Sequence, residues 1–332
     1  ERLFAQRCGT DVVASADAPG SFPMVLDAGD RLYLHRQFEH ERALARRLVV
    51  AAAKTDDADG RDDADAVTTA LLRKLFAGSE APAAPDRHGA VDRQMLAVAL
   101  ALERRLVVVS GGPGMGKTTT VVNLLACLLL RQPGCRIALA APTGKAAARM
   151  SGAIAERAAG LGALLPPGLM ERLPSRATTI HRLIGWSGHA GAGLRHDARN
   201  PLPIDVLVVD EASMLDLALA RRLFDAVPAH ARVIVLGDKD QLDAVESGAV
   251  FAELCADPTL SRDCTARLAR RLGVPPTAIV VPPPLRRTGL VDSVVWFDRN
   301  YRFAADSGIG RFATLVNGGQ ADEACRWLDA GA

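Results

Sequence analysis

The chain has 332 residues, which is enough for two domains of ordinary size. Apolar residues make up 49% and charged residues 23%, so the composition supports a substantial core and argues against wholesale disorder. The formal net charge of +2 is close to zero, so any contact with nucleic acid must come from local groups. No apolar run approaches the roughly 20 residues that cross a bilayer, and we expect no membrane partner.

The six cysteines are scattered without a CxxC pair. Their spacing indicates reduced thiols in a cytoplasmic protein, and neither a disulfide framework nor a zinc site. The chain begins at Glu1 without an initiator Met, and we expect it to be an excerpt of a longer protein.

Residues 1–85 are predicted to form a small, mainly helical N-terminal domain that docks a partner. Helical periodicity occurs at 39–54 and 67–76, and the acidic stretch at 56–65 between them is interpreted as a solvated loop. The Ala/Pro-rich segment at 81–85 is typical of a linker.

Residues 86–258 alternate short apolar strands with helices. The strands at 106–109, 136–140, 206–209 and 233–236 are continuous apolar runs, which is typical of parallel strands covered on both faces. This alternation predicts a doubly wound α/β domain, in which ligands bind at the carboxyl ends of the strands.

Residues 259–332 open with a proline-rich connection. An apolar strand follows at 293–297 and leads into Asn300-Tyr301-Arg302-Phe303. We interpret this part as the start of a second α/β domain that the chain does not complete.

The segment 111–118 reads Gly-Gly-Pro-Gly-Met-Gly-Lys-Thr and matches the pattern GxxxxGK[ST] directly after a predicted strand. Glycines let the backbone curve into a cradle whose N–H groups point at phosphate oxygens, and a following helix adds its positive end. Lys117 would reach the β- and γ-phosphates of ATP, and the Thr118 hydroxyl would ligate Mg²⁺. The predicted nucleotide-binding residues of this loop are Gly111, Gly112, Pro113, Gly114, Met115, Gly116, Lys117, Thr118 and Thr119.

Two acids, Asp210 and Glu211, follow the strand at 206–209. Asp210 would hold Mg²⁺ through water, and Glu211 would polarise the attacking water. Paired acids after a strand can also be a helix cap and a first-turn charge, but the phosphate loop favours the catalytic interpretation. Gln241, after the next strand, could contact both the γ-phosphate and a DNA-binding surface; an ordinary polar turn is the alternative.

These segments resemble, in chain order, the motifs of superfamily 1 helicases. Within that superfamily the resemblance is to the RecD family, the alpha subunits of exodeoxyribonuclease V in the 5′-to-3′ branch. It covers most of residues 22–320 and is strongest in 92–250. The matching segments are the phosphate loop, 141–147 (Ala-Pro-Thr-Gly-Lys-Ala-Ala), 179–183 (Thr-Ile-His-Arg-Leu), 210–214 (Asp-Glu-Ala-Ser-Met), 237–242, and 300–303 with 307–310.

The resemblance implies a RecA-like motor domain that uses ATP and Mg²⁺ and acts on single-stranded DNA at duplex ends. It also implies RecB- and RecC-like subunits as partners in a heterotrimer. Gln94 would hydrogen-bond adenine, and Arg302 would reach the γ-phosphate from the second motor domain. The implied contacts to the DNA backbone are Thr143, Gly144, Lys145 and His181.

Several alternatives stay open at this point. Gln94 and Arg302 could be surface residues, Thr143 a helix cap, and His181 a core residue. Residues 185–203 fall where related helicases insert a small hairpin, and an ordinary long loop is equally compatible. The chain departs from the family at Ala244, before Val245, and at Asn300, where serine is commoner, and it lacks motifs V and VI.

The resulting hypothesis is an ATP-dependent 5′-to-3′ DNA helicase subunit of a RecBCD-type nuclease-helicase in double-strand break repair and recombination. The nearest alternative is another helicase of the same branch, either a free-standing RecD-like enzyme or a conjugative relaxase-type helicase. A non-motor ATP-binding scaffold is the alternative from a different class.

Overall fold

The computed structural model describes most of the chain. The predicted linker and residues 56–61 of the predicted acidic loop lie outside the described part, whereas residues 62–65, predicted as loop, begin a helix (Asp62–Phe76). The described residues are 12–55, 62–77, 90–162, 164–186, 193–241, 250–301 and 307–329, without the side chains of 62–64 and 317.

A small three-stranded sheet begins the described chain. It consists of β1 (Val13–Ser15), β2 (Met24–Leu26) and β3 (Leu32–Leu34), with β1 parallel and β3 antiparallel to β2. Helix α1 (His35–Ala53) follows β3 directly and begins four residues before the predicted helix at 39–54.

The main sheet has six strands and every pairing in it is parallel, which confirms the predicted α/β fold. The order is β6-β5-β7-β8-β4-β9, so β8 separates the strand before the phosphate loop from the strand before the acid pair. The strands are β4 (Leu106–Ser110), β5 (Ile137–Ala141), β6 (Thr178–Thr179), β7 (Val206–Val209), β8 (Arg232–Gly237) and β9 (Val294–Trp296).

Helices connect the strands and cover both faces of the sheet. After α1 they are α2 (Asp62–Phe76), α3 (Arg93–Glu103), α4 (Lys117–Arg131), α5 (Gly144–Leu161), α6 (Ile180–Leu183), α7 (Leu217–Ala226), α8 (Val250–Leu254), α9 (Arg262–Leu272), α10 (Gly308–Asn317) and α11 (Ala321–Asp329).

In β4, β5, β7, β8 and β9, neighbouring residues enter two different apolar clusters, one on each face of the sheet. Val107 and Val109 of β4 pack with α2, α3, α4 and α9, whereas Leu106 and Val108 pack with α1 and α7. Because both faces are buried, the strands need apolar residues at every position, and this explains why they appear as continuous apolar runs.

The N-terminal helices are part of these covering layers. Leu44 and Leu48 of α1 belong to the cluster on one face, and Leu72 of α2 belongs to the cluster on the other. Arg47 also donates to the carbonyls of Phe224 and Val227 at the end of α7, at 2.8 and 2.7 Å. The described helices of residues 1–85 therefore pack directly on the main sheet, and a domain boundary near residue 85 stays a prediction.

The strand expected to open a second domain lies elsewhere. β9 pairs with β4 in parallel, with Val294 opposite Val108 and Trp296 opposite Ser110, at the edge of the first sheet. The expectation that residues 293–297 start a second sheet is therefore wrong, because a continuous apolar run fits any buried parallel strand and does not identify its partner. A second motor domain after residue 297, beginning with α10 and α11, stays a proposal.

Candidate nucleotide and DNA site

The phosphate loop lies between β4 and α4, and its glycines are required by the geometry. Gly114 and Gly116 have φ angles of 79° and 80°, in the left-handed region that favours glycine. A Cβ on Gly116 would also lie 2.2 Å from Nε2 of Gln94, and one on Gly111 would lie 2.9 Å from Cβ of Phe297. The loop therefore keeps a tight backbone curve that side chains would obstruct.

Lys117 is the first residue of α4 and its ammonium lies over the loop. Nζ donates to the carbonyl of Gly111 and, at 3.3 Å, to that of Gly112. Thr118 and Thr119 follow in the first turn and are half-buried. A cation and two hydroxyls thus lie at the positive end of a 15-residue helix, an arrangement suited to phosphate oxygens.

The acid pair lies at the carboxyl end of β7. The amide of Asp210 donates to the carbonyl of Ala140 at 2.9 Å, which fixes the start of the turn. Glu211 has a φ of 53°, a left-handed conformation that is uncommon for a residue with a side chain and concentrates at functional sites. Its amide donates to Oδ1 of Asp210 at 2.9 Å.

Asp210 is electrostatically unusual. Burial raises the pKa of its carboxyl above the ordinary value, and the neighbouring charge of Glu211 acts in the same direction. The amide of Glu211 and the cations Lys117 and Arg149 oppose this shift. A carboxylate that is poorly solvated and near another acid is predisposed to bind a cation.

Lys117 and Thr118, at the end of the phosphate loop, lie close to Asp210 of the acid pair. The three residues line one small, mostly apolar void together with Val121, Met150, Ile154 and Leu236. Lys117, Thr118 and Asp210 are therefore neighbours, and their roles towards phosphate and metal stay a prediction.

These residues fit a nucleotide with its magnesium ion. Among the described residues no group of three or more His, Cys, Asp or Glu could hold a metal alone. One hydroxyl and one carboxylate beside a phosphate cradle are the donors with which Mg²⁺ is held in nucleotide sites, since phosphate and water supply its other ligands. When bound, the ion neutralises charge that develops on the phosphates.

Gln241 lies after β8 and is linked to the acid-pair turn. The Ser213 hydroxyl donates to Oε1 of Gln241 at 3.2 Å, and Ser213 is buried. The link connects the loop after β8 with the loop after β7, on the same edge of the sheet. The sequence pattern predicted Gln241 as a functional residue but gave no sign of its contact with Ser213.

Gln94 is a buried residue of α3 and not a surface residue. Its Nε2 donates to the carbonyl of Met115 in the phosphate loop at 3.1 Å. Its backbone amide donates to the carboxylate of Asp92, which caps the helix at 2.6 Å. Gln94 is therefore beside the loop, as the family pattern requires, and its contact with adenine stays a prediction.

Two loop contacts near the C-terminal side were not anticipated. Asn300 donates from Nδ2 to the carbonyl of Pro113 at 3.1 Å, and the amide of Tyr301 donates to the carbonyl of Gly114 at 2.9 Å. The Tyr301 hydroxyl hydrogen-bonds to the Asp92 carboxylate at 3.1 Å. The predicted Arg302 lies directly after this contact and outside the described residues.

The predicted DNA residues lie along the same edge of the sheet, after β5 and β6. Thr143 caps α5, its hydroxyl accepting from the amide of Ala146 at 3.2 Å, and Gly144 and Lys145 are exposed. His181 stacks against Trp186 with ring centroids 4.7 Å apart. Thr143 is thus both a helix cap and a candidate phosphate contact. The His181 ring packs against Trp186 and is partly buried, and its contact with DNA stays a prediction.

The described ends of the predicted hairpin insertion form a closed loop. The amide of His196 donates to the carbonyl of Ile184 at 3.1 Å, and Asp197 accepts from the amides of Arg199 and Asn200 at 2.8 and 2.9 Å. Residues 193–203 contain no strand, and 187–192 lie outside the described part of the chain. A hairpin therefore stays a prediction only for residues 187–192.

Comparison with known proteins adds independent evidence. A family model described as "AAA domain" matches residues 94–247. The chain is 36% identical to RecBCD enzyme subunit RecD of Haemophilus influenzae, over 74% of this chain and 38% of that protein. It is 48% identical to the same subunit of Mycobacterium tuberculosis, over 67% of this chain and 35% of that protein. An ATP-dependent RecD2 DNA helicase of Deinococcus radiodurans is 35% identical, over 69% of this chain and 27% of that protein.

The fold and the phosphate loop define an α/β P-loop domain of the RecA-like type, with its motifs in order along the carboxyl edge of a parallel sheet. Within that class, the chain is similar in sequence to RecD subunits and to a RecD2 DNA helicase. It spans little more than a third of the length of these RecD relatives.

Proposed function

We propose that this chain is the ATP-hydrolysing part of a 5′-to-3′ DNA helicase that acts as the RecD-like subunit of a RecBCD-type complex. The complex would process double-strand ends in repair and recombination, and the subunit would work in the cytoplasm. The observation that supports ATP hydrolysis most strongly is that Lys117 and Thr118, at the end of the phosphate loop, lie close to Asp210. Identity with RecD subunits supports the helicase role.

The roles of the site residues follow from their positions. The phosphate loop and Lys117 would bind the triphosphate, and Thr118 with Asp210 would hold Mg²⁺. Glu211 would orient the attacking water and accept its proton. Gln241 would report the state of the γ-phosphate, because its hydrogen bond to Ser213 ties it to the acid-pair turn.

The DNA would cross the same edge of the sheet. Thr143, Gly144 and Lys145 would contact a phosphate through hydroxyl, amide and ammonium groups, and His181 would add a contact after β6. These are backbone contacts without base readout, as a motor that moves along any sequence requires. Arg302 would complete the site from the second motor domain and couple hydrolysis to closure.

The likeness to a RecD2 helicase supports one alternative, a RecD-like helicase that works without RecB- and RecC-like subunits. Co-purification separates the two possibilities. A RecBCD-type subunit is expected to copurify stoichiometrically with RecB- and RecC-like chains from its own cells, whereas an unaccompanied helicase would not. In both cases the chemistry of the site is the same.

ATP hydrolysis by the intact protein, measured with and without single-stranded DNA, tests the motor function. We expect DNA to stimulate turnover and a duplex with a 5′ single-stranded tail to be unwound in preference to one with a 3′ tail. The exposed surface variant Arg270→Ala should behave like the wild type. Nucleotide binding with turnover that ignores DNA would instead support a non-motor scaffold.

A further inference from the structure

An arginine outside the predicted motifs contacts the proposed catalytic glutamate. Nη1 of Arg149, on α5, lies 3.6 Å from Oε1 of Glu211. The side chain of Arg149 is 71% exposed, whereas that of Glu211 is 23% exposed. Arg149 therefore bridges from the outer surface of α5 to the acid pair at the end of β7.

Arg149 also lies next to the proposed DNA path. Lys145 is four residues earlier on the same helix, and positions four apart lie on one face of a helix. Both side chains are exposed. Arg149 is thus within one helical turn of the DNA contacts on one side and in ionic contact with Glu211 on the other.

The ion pair opposes the role proposed for Glu211. At 3.6 Å the contact is an ion pair and not a hydrogen bond, and its attraction holds the Glu211 carboxylate towards α5. A glutamate held there is not free to orient a water molecule at the nucleotide.

We propose that Arg149 is a positioning residue that restrains Glu211 until single-stranded DNA binds. The inference rests on the proposed function, because it needs a DNA phosphate near Lys145. That phosphate competes for Arg149, since arginine binds phosphate oxygens bidentately and prefers a doubly hydrogen-bonded partner. Glu211 is then free to turn towards the nucleotide, and hydrolysis accelerates.

The restraint is weak enough to be switched. An ion pair with one exposed partner contributes little to stability because solvent screens it, so a strand of DNA can break it. The same weakness limits the effect that its removal can have. Loss of the pair is expected to raise DNA-independent turnover by about two- to fivefold.

The test compares wild type, Arg149→Ala, Arg149→Lys and the control Arg270→Ala in the intact protein, with ATP turnover measured with and without a single-stranded oligonucleotide. Arg149→Ala should raise kcat without DNA and leave KM for ATP unchanged, so its DNA stimulation ratio falls. Arg149→Lys should be intermediate because it keeps the charge without the planar fork.

Two results would overturn the restraint. One is a DNA-free kcat of Arg149→Ala equal to that of wild type; the other is a fall of the rates with and without DNA together. The proposed function is tested separately by the wild type alone. A wild type that DNA does not stimulate refutes the motor, whereas a stimulated wild type with an unchanged Arg149→Ala refutes only the restraint.

Discussion

Two aspartates at opposite ends of one strand show how this molecule separates stability from function. Asp205 precedes β7 and Asp210 follows it, so only four residues lie between them. The pKa of Asp205 is lowered from its ordinary value, and the pKa of Asp210 is raised. The two carboxyls therefore affect the folded state in opposite directions.

Asp205 is fully satisfied by its neighbours. Its carboxylate accepts from Nε, Nη2 and the backbone amide of Arg136 at 3.0, 2.9 and 2.8 Å. These bonds to Arg136 are the main cause of its lowered pKa. Nearby, Arg232 donates to the carbonyls of Ala101 and Arg104 at the amino end of the neighbouring strand.

Asp210 has no such set of donors. Within the described residues its carboxylate accepts from one amide, that of Glu211, while burial raises its pKa. Glu211 beside it keeps a strained backbone. The carboxylate before β7 is thus stabilised by its neighbours, whereas the acid pair after β7 combines a raised pKa with a left-handed backbone, as expected where a functional site overrides local stability.

The largest effect is expected at the amino end of β4. Asp292 pairs with the buried Arg104 and also accepts from the amide and hydroxyl of Ser261, at 2.5 and 2.8 Å. Asp292→Ala leaves Arg104 buried without its carboxylate and should lower the free energy of unfolding by about 3–5 kcal/mol. Urea unfolding measures this loss.

Asp292→Asn is the matched control, because asparagine keeps the hydrogen-bonding shape and tolerates the left-handed φ of 65° at this position. It should lose less stability than Asp292→Ala. Equal stability of Asp292→Ala and the wild type would contradict the structural role of this end of the sheet.

At the carboxyl edge the expected loss is in activity. Lys117→Ala removes the ammonium over the phosphate loop and should lower turnover of ATP by about 10²- to 10³-fold, as for other groups that stabilise charge in a transition state. The melting temperature of the nucleotide-free protein should change by no more than about 2 °C, because the site does not hold the fold together. A large fall in melting temperature with normal turnover per folded molecule would contradict this account, because Lys117 would then act in stability and not in function.

Asp205→Asn and Asp210→Asn test the comparison most sharply, because the same substitution should have opposite signs. At neutral pH and without nucleotide, Asp205→Asn should destabilise by about 1 kcal/mol, as expected for lost charge-assisted hydrogen bonds. Asp210→Asn should raise the melting temperature by about 1–4 °C, because an unfavourably buried charge is removed.

The pH dependence fixes the cause of both effects. The lowered pKa of Asp205 adds stability above its unfolded value of 3.8, and this stability is lost as the pH falls below that value. The raised pKa of Asp210 removes stability as the pH rises above 3.8. Both differences from wild type should therefore shrink in acid, and a difference that is constant from pH 3 to 7 would rule out ionisation as the cause.

The smallest effect is expected at Ser213, which positions Gln241 without reaching the cavity. Ser213→Ala removes one hydrogen bond of 3.2 Å and should lower DNA-stimulated kcat by about two- to tenfold. The KM for ATP should be unchanged. Ser213→Thr keeps the hydroxyl and should retain more activity, and an equal loss in both variants would point to packing around this buried residue instead.

The sequence predicted the parts of this site that follow from local pattern. Strands β4, β5, β7 and β8 were predicted because burial on both faces requires apolar runs, and the residues after them were then placed on one edge. The two residues of β6 are too few to form such a run. β9 was recognised as a strand but assigned to the wrong sheet, because its pairing with β4 joins residues about 185 positions apart and periodicity contains no information on partners.

The sequence also could not predict which side chains pair at the site. Arg149 and Glu211 are 62 positions apart, and each looks like an ordinary charged residue in the sequence. The left-handed φ of Glu211 carries no sequence signal either, because glutamate is not a residue type that marks this conformation. Gln94 was predicted from its family position, and its contact with the phosphate loop depends on the packing of α3 beside α4.

The central claim is that Lys117, Thr118 and Asp210 hold a nucleotide together with its magnesium ion. Titration of the chain with a fluorescent ATP analogue, in Mg²⁺ and in EDTA, tests it most directly. In the wild type Mg²⁺ should tighten binding by about tenfold or more, and Asp210→Asn should lose most of that gain while keeping its binding in EDTA. An equal gain from Mg²⁺ in Asp210→Asn, or no binding by the wild type, would contradict the account.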